Sequence, residues 1–138
     1  MKRLVLCCAV LLLSVACGIG QTGTGKVGSV APESLHFTNG PVAEYVAESN
    51  ADLGWSVQEN TGKMAVRYGT DRDHLNLTAE AAPGTDPRNF HAHLQGMVPS
   101  TRYYFQIVQQ DQPVGNVGTF RTVASGSSPV RSEAVIPK

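Results

Sequence analysis

The spacing of short apolar runs from residue 34 to residue 122 most constrains the fold of this chain. In these runs apolar side chains tend to occupy every second position, and Gly, Pro, Asn and Asp separate one run from the next. A period of two is typical of a half-buried strand, whereas an amphipathic helix needs apolar side chains three and four residues apart. No stretch shows the helical spacing over three turns. The pattern therefore predicts an all-β chain.

The runs predict seven strands. Asn-Gly-Pro at 39–41 interrupts the first, the fourth is a short strand at 75–79, and residues 82–89 form a loop rich in turn residues. Seven short strands in about ninety residues are typical of an immunoglobulin-like β-sandwich. The side chains predicted to face the core are Ala51, Leu53, Trp55, Met64, Val66, Tyr68, Phe90, Ala92, Leu94, Tyr103, Phe105, Ile107, Val117 and Phe120.

The N-terminus predicts an export signal. Lys2 and Arg3 precede an apolar run at 4–17, which is shorter than the roughly twenty residues that a membrane-spanning helix needs. A positive start, an apolar centre and small residues behind it are the parts of a signal peptide. We expect a signal peptide at 1–16, a flexible Gly, Thr and Ser linker at 17–29, a folded domain at 30–124 and a disordered tail at 125–138.

Cys17 leaves two cleavage routes open. Ordinary signal peptidase could cut after Ala16 or slightly later, which would release a soluble protein. The second route is a lipoprotein, because Leu-Ser-Val-Ala-Cys at 13–17 resembles a bacterial lipobox, with Ser14 where that motif usually has Leu. Cys17 would then be the lipid-modified first residue of the mature chain. The other two cysteines lie upstream, so no cysteine of the folded domain can pair with it, and this favours the lipoprotein.

The charge balance argues against nucleic acid as a partner. Eleven Lys and Arg face eleven Asp and Glu, and removal of residues 1–16 leaves a formal charge of −2. Such a chain has no broad positive field to attract a phosphate backbone or an anionic membrane surface. We therefore expect contact with a membrane only through the lipid anchor.

The late part of the domain resembles the fibronectin type III family. Residues 94–105 are Leu-Gln-Gly-Met-Val-Pro-Ser-Thr-Arg-Tyr-Tyr-Phe, and that family has a leucine-like residue, a proline, a threonine and a tyrosine before its sixth strand. The resemblance implies a tyrosine corner, in which the Tyr103 ring packs in the core and its hydroxyl reaches the backbone of the preceding loop. The signature residues are Trp55, Tyr68, Leu94, Pro99, Thr101, Tyr103, Phe105 and Phe120.

A narrower resemblance concerns the purple acid phosphatases. Val-Arg-Tyr-Gly-Thr at 66–70, together with the late motif, is similar to the fibronectin-like domain that precedes the catalytic domain of those enzymes. The resemblance spans about residues 30–124. It implies the fold and says almost nothing of a ligand, because one fold hosts many unrelated functions.

His91 and His93 are the candidate metal ligands. Residues two apart on a strand point to the same face, so their imidazoles could share an ion, with His74 or Asp73 as further ligands. The apolar residues between and around them claim the buried face, which leaves both histidines pointing outward. Purple acid phosphatases use a His-x-His, but in their catalytic domain and with motifs that this sequence lacks, so the match is not transferred. We predict no metal and no other cofactor.

The favoured hypothesis is a non-catalytic binding module outside the cytoplasm, because no nucleophile or phosphate-binding motif occurs in the sequence. On the sixth strand Tyr104, Gln106 and Val108 are expected to face outward, where an aromatic ring can stack on a sugar or contact a protein. We expect the partner to be a protein or a glycan outside the cytoplasm. The alternatives are an accessory domain or remnant of a metal-dependent phosphatase, and an inert spacer or glycan-binding domain.

Overall fold

A computed structural model describes residues 35–59 and 62–138. The predicted signal peptide, the linker and Cys17 lie outside these residues. The described part consists of antiparallel strands without a helix, so it contains no helix long and apolar enough to cross a membrane. The strands are β1 (Phe37–Val46), β2 (Ala51–Val57), β3 (Met64–Gly69), β4 (Leu77–Pro83), β5 (Asn89–Leu94), β6 (Arg102–Gln109), β7 (Gln112–Arg121) and β8 (Val130–Arg131).

Hydrogen bonding connects these strands in the order β7-β6-β3-β4-β5-β2-β1-β8. β4 pairs with β3 through residues 77–80 and with β5 through residues 81–83, so one strand joins the two halves of the sheet. Both halves contribute buried side chains to one core cluster. The all-β prediction is confirmed, and the structure differs from the predicted seven-stranded sandwich in having eight strands with continuous hydrogen bonding.

Aromatic side chains from both halves fill the core. Trp55 stacks on Phe90 with their ring centroids 5.9 Å apart. Phe120 lies 6.1 Å from Tyr103 and 6.0 Å from Phe105, measured between ring centroids. The core-facing residues predicted on β2, β3, β5 and β6 are all buried, so the alternation identified these strands correctly. Val117 and Phe120 of β7 are half-buried.

β4 extends further along the chain than the predicted strand at 75–79. Leu77, Ala79 and Ala81 alternate toward the core and are partly buried, which continues the strand as far as Pro83. Proline and glycine at 83–84 predicted an early loop. The apolar alternation outweighs that signal, because the ladder pairs Pro83 on one side only, with Phe90, and an edge position tolerates a missing N–H.

The tail at 125–138, predicted to be disordered, is ordered in the structure. Val130 and Arg131 form β8 by pairing with Val46 and Tyr45 of β1, and Ile136 is fully buried. This segment also supplies the eighth strand. The segment has no apolar period of its own. It is held by contacts with residues far away in the sequence, and a local sequence pattern cannot show such contacts.

Candidate functional site

Two tyrosine hydroxyls hold the loop between β5 and β6. The Tyr103 hydroxyl accepts the backbone N–H of Val98 at 2.9 Å, which is the tyrosine corner that the resemblance implied. From β3, the Tyr68 hydroxyl donates to the carbonyl of Gln95 at 2.9 Å. Both rings are buried in the core. These two signature residues therefore fasten a crossing loop to the two strands beneath it.

Thr122 holds the other side of the same loop. Its hydroxyl donates to the Val98 carbonyl at 2.6 Å and accepts the Thr101 N–H at 2.9 Å. The Thr101 hydroxyl donates to the carbonyl of Pro99 at 2.9 Å. The signature residues Pro99 and Thr101 thus belong to the loop, and the remaining ones pack in the core. The role of Thr122 was not predicted from the sequence, where it is the last residue of Gly-Thr-Phe-Arg-Thr at 118–122.

His91 and His93 each contact a different carboxylate on the outer face of β5. His93 Nδ1 makes a hydrogen bond with the Asp52 carboxylate of β2. His91 Nδ1 lies 3.3 Å from Glu44 Oε2 of β1, without the alignment of a hydrogen bond. The proposed third ligand His74 instead lies beside Asp71, at 3.2 Å, in the exposed turn after β3. Across 35–59 and 62–138, no three His, Cys, Asp or Glu side chains converge on a metal position.

The C-terminal segment, residues 130–138, covers the outer face of β1, β2 and β5. Ile136 is 0% exposed and lies over Gly54, where a Cβ would be 2.9 Å from its side chain. The same Cβ would be 2.5 Å from a Glu44 carboxylate oxygen. Glu44 is 7% exposed and accepts the backbone N–H of Ile136. Glycine at position 54 therefore makes room for both the isoleucine and the carboxylate.

Polar side chains of β5 contact the next residue of the C-terminal segment, and β2 orients one of them. The Asn89 amide donates to the Pro137 carbonyl at 2.9 Å, and the Ser56 hydroxyl donates to Asn89 Oδ1 at 2.7 Å. His91 Nε2 lies 3.4 Å from the same Pro137 carbonyl. The roles of Glu44, Ser56 and Asn89 were not predicted from the sequence. Their signal was weak, because polar side chains at outward positions of a strand usually face water.

The outer face of β3 and β6 carries the side chains expected to make contacts. Tyr104 and Gln106 are half-buried on this face, and Arg67 pairs across the strands with Gln106. Val108, which was expected to be available for contacts, is buried. At this end of the face lies a shallow cavity of about 250 Å³. The residues that line it are Lys63, Met64, Ala65, Glu80, Val108, Gln110 and Asp111.

Exposed carboxylates are stabilised within two loops. Side-chain hydrogen bonds from Arg88, and then its backbone N–H, lower the pKa of Asp86 to about 2. Arg88 Nη2 lies 2.7 Å from Asp86 Oδ2, and the pKa of Arg88 is raised in return. The backbone N–H of Asp73, followed by the His74 side chain, lowers the pKa of Asp71. These pairs fix the conformation of loops at the surface of the domain.

The fold and the contacts above define a small all-β domain with a tyrosine corner, in which His91 and His93 lie beside two different carboxylates. Residues 35–122 match the family model for the N-terminal domain of purple acid phosphatase. The chain belongs to that family. The resemblance drawn from the 66–70 and 94–105 motifs is thereby confirmed.

Two curated proteins of Mycobacterium tuberculosis are similar to this chain. They are the uncharacterized proteins MT2654, of strain CDC 1551 / Oshkosh, and Rv2577, of strain ATCC 25618 / H37Rv. Each is 28% identical over 120 residues, which are 81% of this chain. The chain spans 21% of the length of each of these relatives.

Among solved structures, the sensor domain of the anti-sigma factor RsgI4 of Pseudobacteroides cellulosolvens is similar. Its longer form has a TM-score of 0.51 and 18% identity, covering 73% of this chain and 98% of that chain. Its shorter form has a TM-score of 0.49 and 17% identity, covering 67% and 98%. At this identity the likeness shows a shared fold alone.

Proposed function

We propose that the protein is a non-catalytic binding module that works outside the cytoplasm and is held at a membrane by a lipid on Cys17. Its partner is a protein or a glycan. The observation that carries the proposal is that His91 and His93 are engaged by separate carboxylates. Histidines paired in this way support a structural role, which leaves recognition by the surface as the function that fits the domain.

The comparisons support a recognition role. The matched family is an N-terminal domain, and in the resemblance described above this domain precedes the catalytic one. The RsgI4 domain is the sensor domain of an anti-sigma factor, so the same fold has a sensing role in another protein. A fold does not identify a ligand, and the assignment of a partner rests on the surface of this chain.

We assign the contact to the outer face of β3 and β6. Tyr104 presents part of its ring there, and on the neighbouring strand the side chain of Arg67 is 41% exposed, with its Nη2 3.7 Å from the exposed Asp111 carboxylate. A partner's carboxylate would share or replace this surface ion pair, which contributes little stability. An aromatic ring can stack on a sugar, and a guanidinium group binds a carboxylate through two parallel hydrogen bonds. A protein or glycan surface with an acidic group beside a flat apolar patch fits this face.

The lipid anchor is tested by expressing the full chain in a bacterial host and separating membrane from soluble fractions. We expect the mature chain in the membrane fraction, with a mass at its N-terminus that corresponds to diacylated Cys17. The Cys17→Ser variant is expected in the soluble fraction or as uncleaved precursor. An unmodified N-terminus on soluble wild-type protein would overturn the anchor and support cleavage by ordinary signal peptidase.

The partner is tested by crosslinking in cells that express the full chain, followed by purification and mass spectrometry. Tyr104→Ala is expected to reduce capture of a specific partner, whereas Thr85→Ala, in the exposed loop between β4 and β5, should leave capture unchanged. Equal capture by wild type and Tyr104→Ala would remove this face from the proposal. If no specific partner is captured, the alternative that the domain is an inert spacer is favoured.

The second candidate function is that of an accessory domain or remnant of a metal-dependent phosphatase. Membership of the purple acid phosphatase N-terminal domain family favours it. It requires that the domain act with a catalytic domain, in the same chain or a separate one. Co-purification with a phosphatase would support this candidate, and capture of partners without phosphatase activity would count against it.

A further inference from the structure

The face beneath the C-terminal segment has the chemistry of a peptide-binding groove. It can bind two successive residues of an extended peptide. For the first residue it supplies an acceptor for the backbone N–H and a space for an aliphatic side chain, and for the second it supplies a donor to the backbone carbonyl. The acceptor is the Glu44 carboxylate, the space lies over Gly54, and the donor is the Asn89 amide. Ile136 and Pro137 occupy these positions in the structure.

The residues that line the groove belong to paired strands of the sheet and contact one another as well as the segment. Asn89 is oriented by the Ser56 hydroxyl, at 2.7 Å, and both residues belong to paired strands of the sheet. Glu44 lies on β1, and its second oxygen is 3.3 Å from His91 Nδ1 of β5. A buried carboxylate is costly without hydrogen bonds, so a backbone N–H that reaches Glu44 is strongly favoured over an apolar cover.

The segment is attached by a short strand at the edge of the sheet. β8 has two residues, and Val130 is among the exposed large apolar side chains. Arg131 adds a contact between its guanidinium group and the Tyr45 ring, with its Cζ 4.9 Å from the ring centroid. Residues 124–129, which lead to β8, are exposed. Addition of a strand to an open edge is a common mode of peptide recognition.

We propose that the outer face of β1, β2 and β5 is a peptide-binding groove that the C-terminal segment occupies as an exchangeable intramolecular ligand. The partner is an extended protein segment with a β-branched aliphatic residue followed by proline. This inference rests on the proposed binding role and names a second surface for it. A tethered ligand has an effective concentration in the millimolar range, so the segment competes with any partner for the groove.

The test uses the full chain with a protease recognition sequence inserted after Gly126, folded and then cut. A fluorescent peptide of residues 129–138 is added, and binding is followed by anisotropy. We expect the cut protein to bind the peptide at least tenfold more tightly than the uncut protein. A peptide that carries Ile136→Ser is expected to lose at least tenfold in affinity for the cut protein, because the space over Gly54 then receives a polar side chain.

Matched variants separate this groove from the rest of the surface. Gly54→Ala places a Cβ in the occupied space and is expected to weaken peptide binding, whereas Thr119→Ala on β7 should leave it unchanged. If the cut protein retains its own segment and never exchanges it, the segment is a fixed part of the fold and the proposal fails. Acylation of Cys17 and capture of partners are measured on the intact chain, so their failure is distinguishable from this one.

Discussion

The hydroxyl of one residue, Tyr103, links β6 to the loop that arrives from the other half of the sheet. It accepts the Val98 N–H at 2.9 Å while the ring packs beside Phe120. Tyr104, the next residue, points to the opposite face of the same strand. Tyr103 is therefore a structural residue and Tyr104 a surface residue, so the effects of the same substitution at the two positions can be compared.

Tyr103→Phe is expected to lower the free energy of unfolding by about 1 kcal/mol, because the Val98 N–H loses its acceptor while ring packing is kept. Tyr104→Phe is expected to change it by less than about 0.5 kcal/mol, as is usual for surface substitutions. Urea denaturation of the purified proteins measures both. Equal losses in the two variants would show that the corner contributes no stability of its own.

Asp86 should titrate far below an ordinary aspartate. Its pKa is lowered to about 2 by Arg88, so the pair is intact at neutral pH and is lost as the pH falls through that value. In Arg88→Ala the pKa of Asp86 is expected to rise toward 3.8, since the side-chain hydrogen bonds are the largest cause of the shift. Carboxyl chemical shifts followed by NMR against pH measure it. Asp71 is the internal control, because Arg88 has no part in its lowered pKa.

The sequence predicts the role of a single residue when its hydrogen-bond partner lies close to it along the chain. Tyr103 reaches a backbone group five residues away, and a motif within residues 94–105 indicates it. Glu44 reaches Ile136 across 92 positions, and no pattern near either residue reports the contact. The same reason explains why His91 and His93 were recognised as outward-facing while their carboxylate partners were not.

At the scale of elements, period-two alternation located β2, β3, β5 and β6, because each of these strands buries one clear face. β4 was placed too early, since it lies between the two halves and its inward side chains are only partly buried. β8 was missed altogether. A strand of two residues carries no period, and it exists because β1 offers an open edge.

Ile136→Ala tests the order of the C-terminal segment. Loss of a fully buried isoleucine is expected to lower the free energy of unfolding by about 2 kcal/mol, the low end for such a change because the segment can detach. Val135→Ala is the control, since Val135 is 56% exposed, and it should change stability by less than about 0.5 kcal/mol. Thermal and urea unfolding measure both. No difference between the two variants would mean that the segment does not dock in solution.

At the scale of the whole molecule, the two outer surfaces of the sheet differ. The face of β1, β2 and β5 is covered by the C-terminal segment, whereas the face of β3 and β6 keeps Tyr104 and Arg67 partly exposed. The sequence predicted an all-β module of this family from its motifs. It could not predict which face is covered, because that depends on where a segment without periodicity packs. The least regular part of the domain therefore decides which of its two outer faces is left accessible.

The response of the whole protein to removal or addition of metal distinguishes a binding module from a metal-dependent phosphatase. A ligand that binds the native state raises the unfolding temperature by mass action, so a protein without a site is insensitive to chelator and to added zinc. We expect unfolding temperatures of the purified protein with EDTA and with zinc to agree within about 1 °C, and phosphate ester hydrolysis to stay at background. The reason is that His93 is bonded to Asp52 while His91 faces Glu44, so neither imidazole is poised beside a third ligand.

The control is His93→Ala, measured with and without zinc. If zinc stabilises the wild type but not this variant, and the wild type hydrolyses phosphate esters, the protein is a metal-dependent hydrolase and the binding-module proposal is wrong.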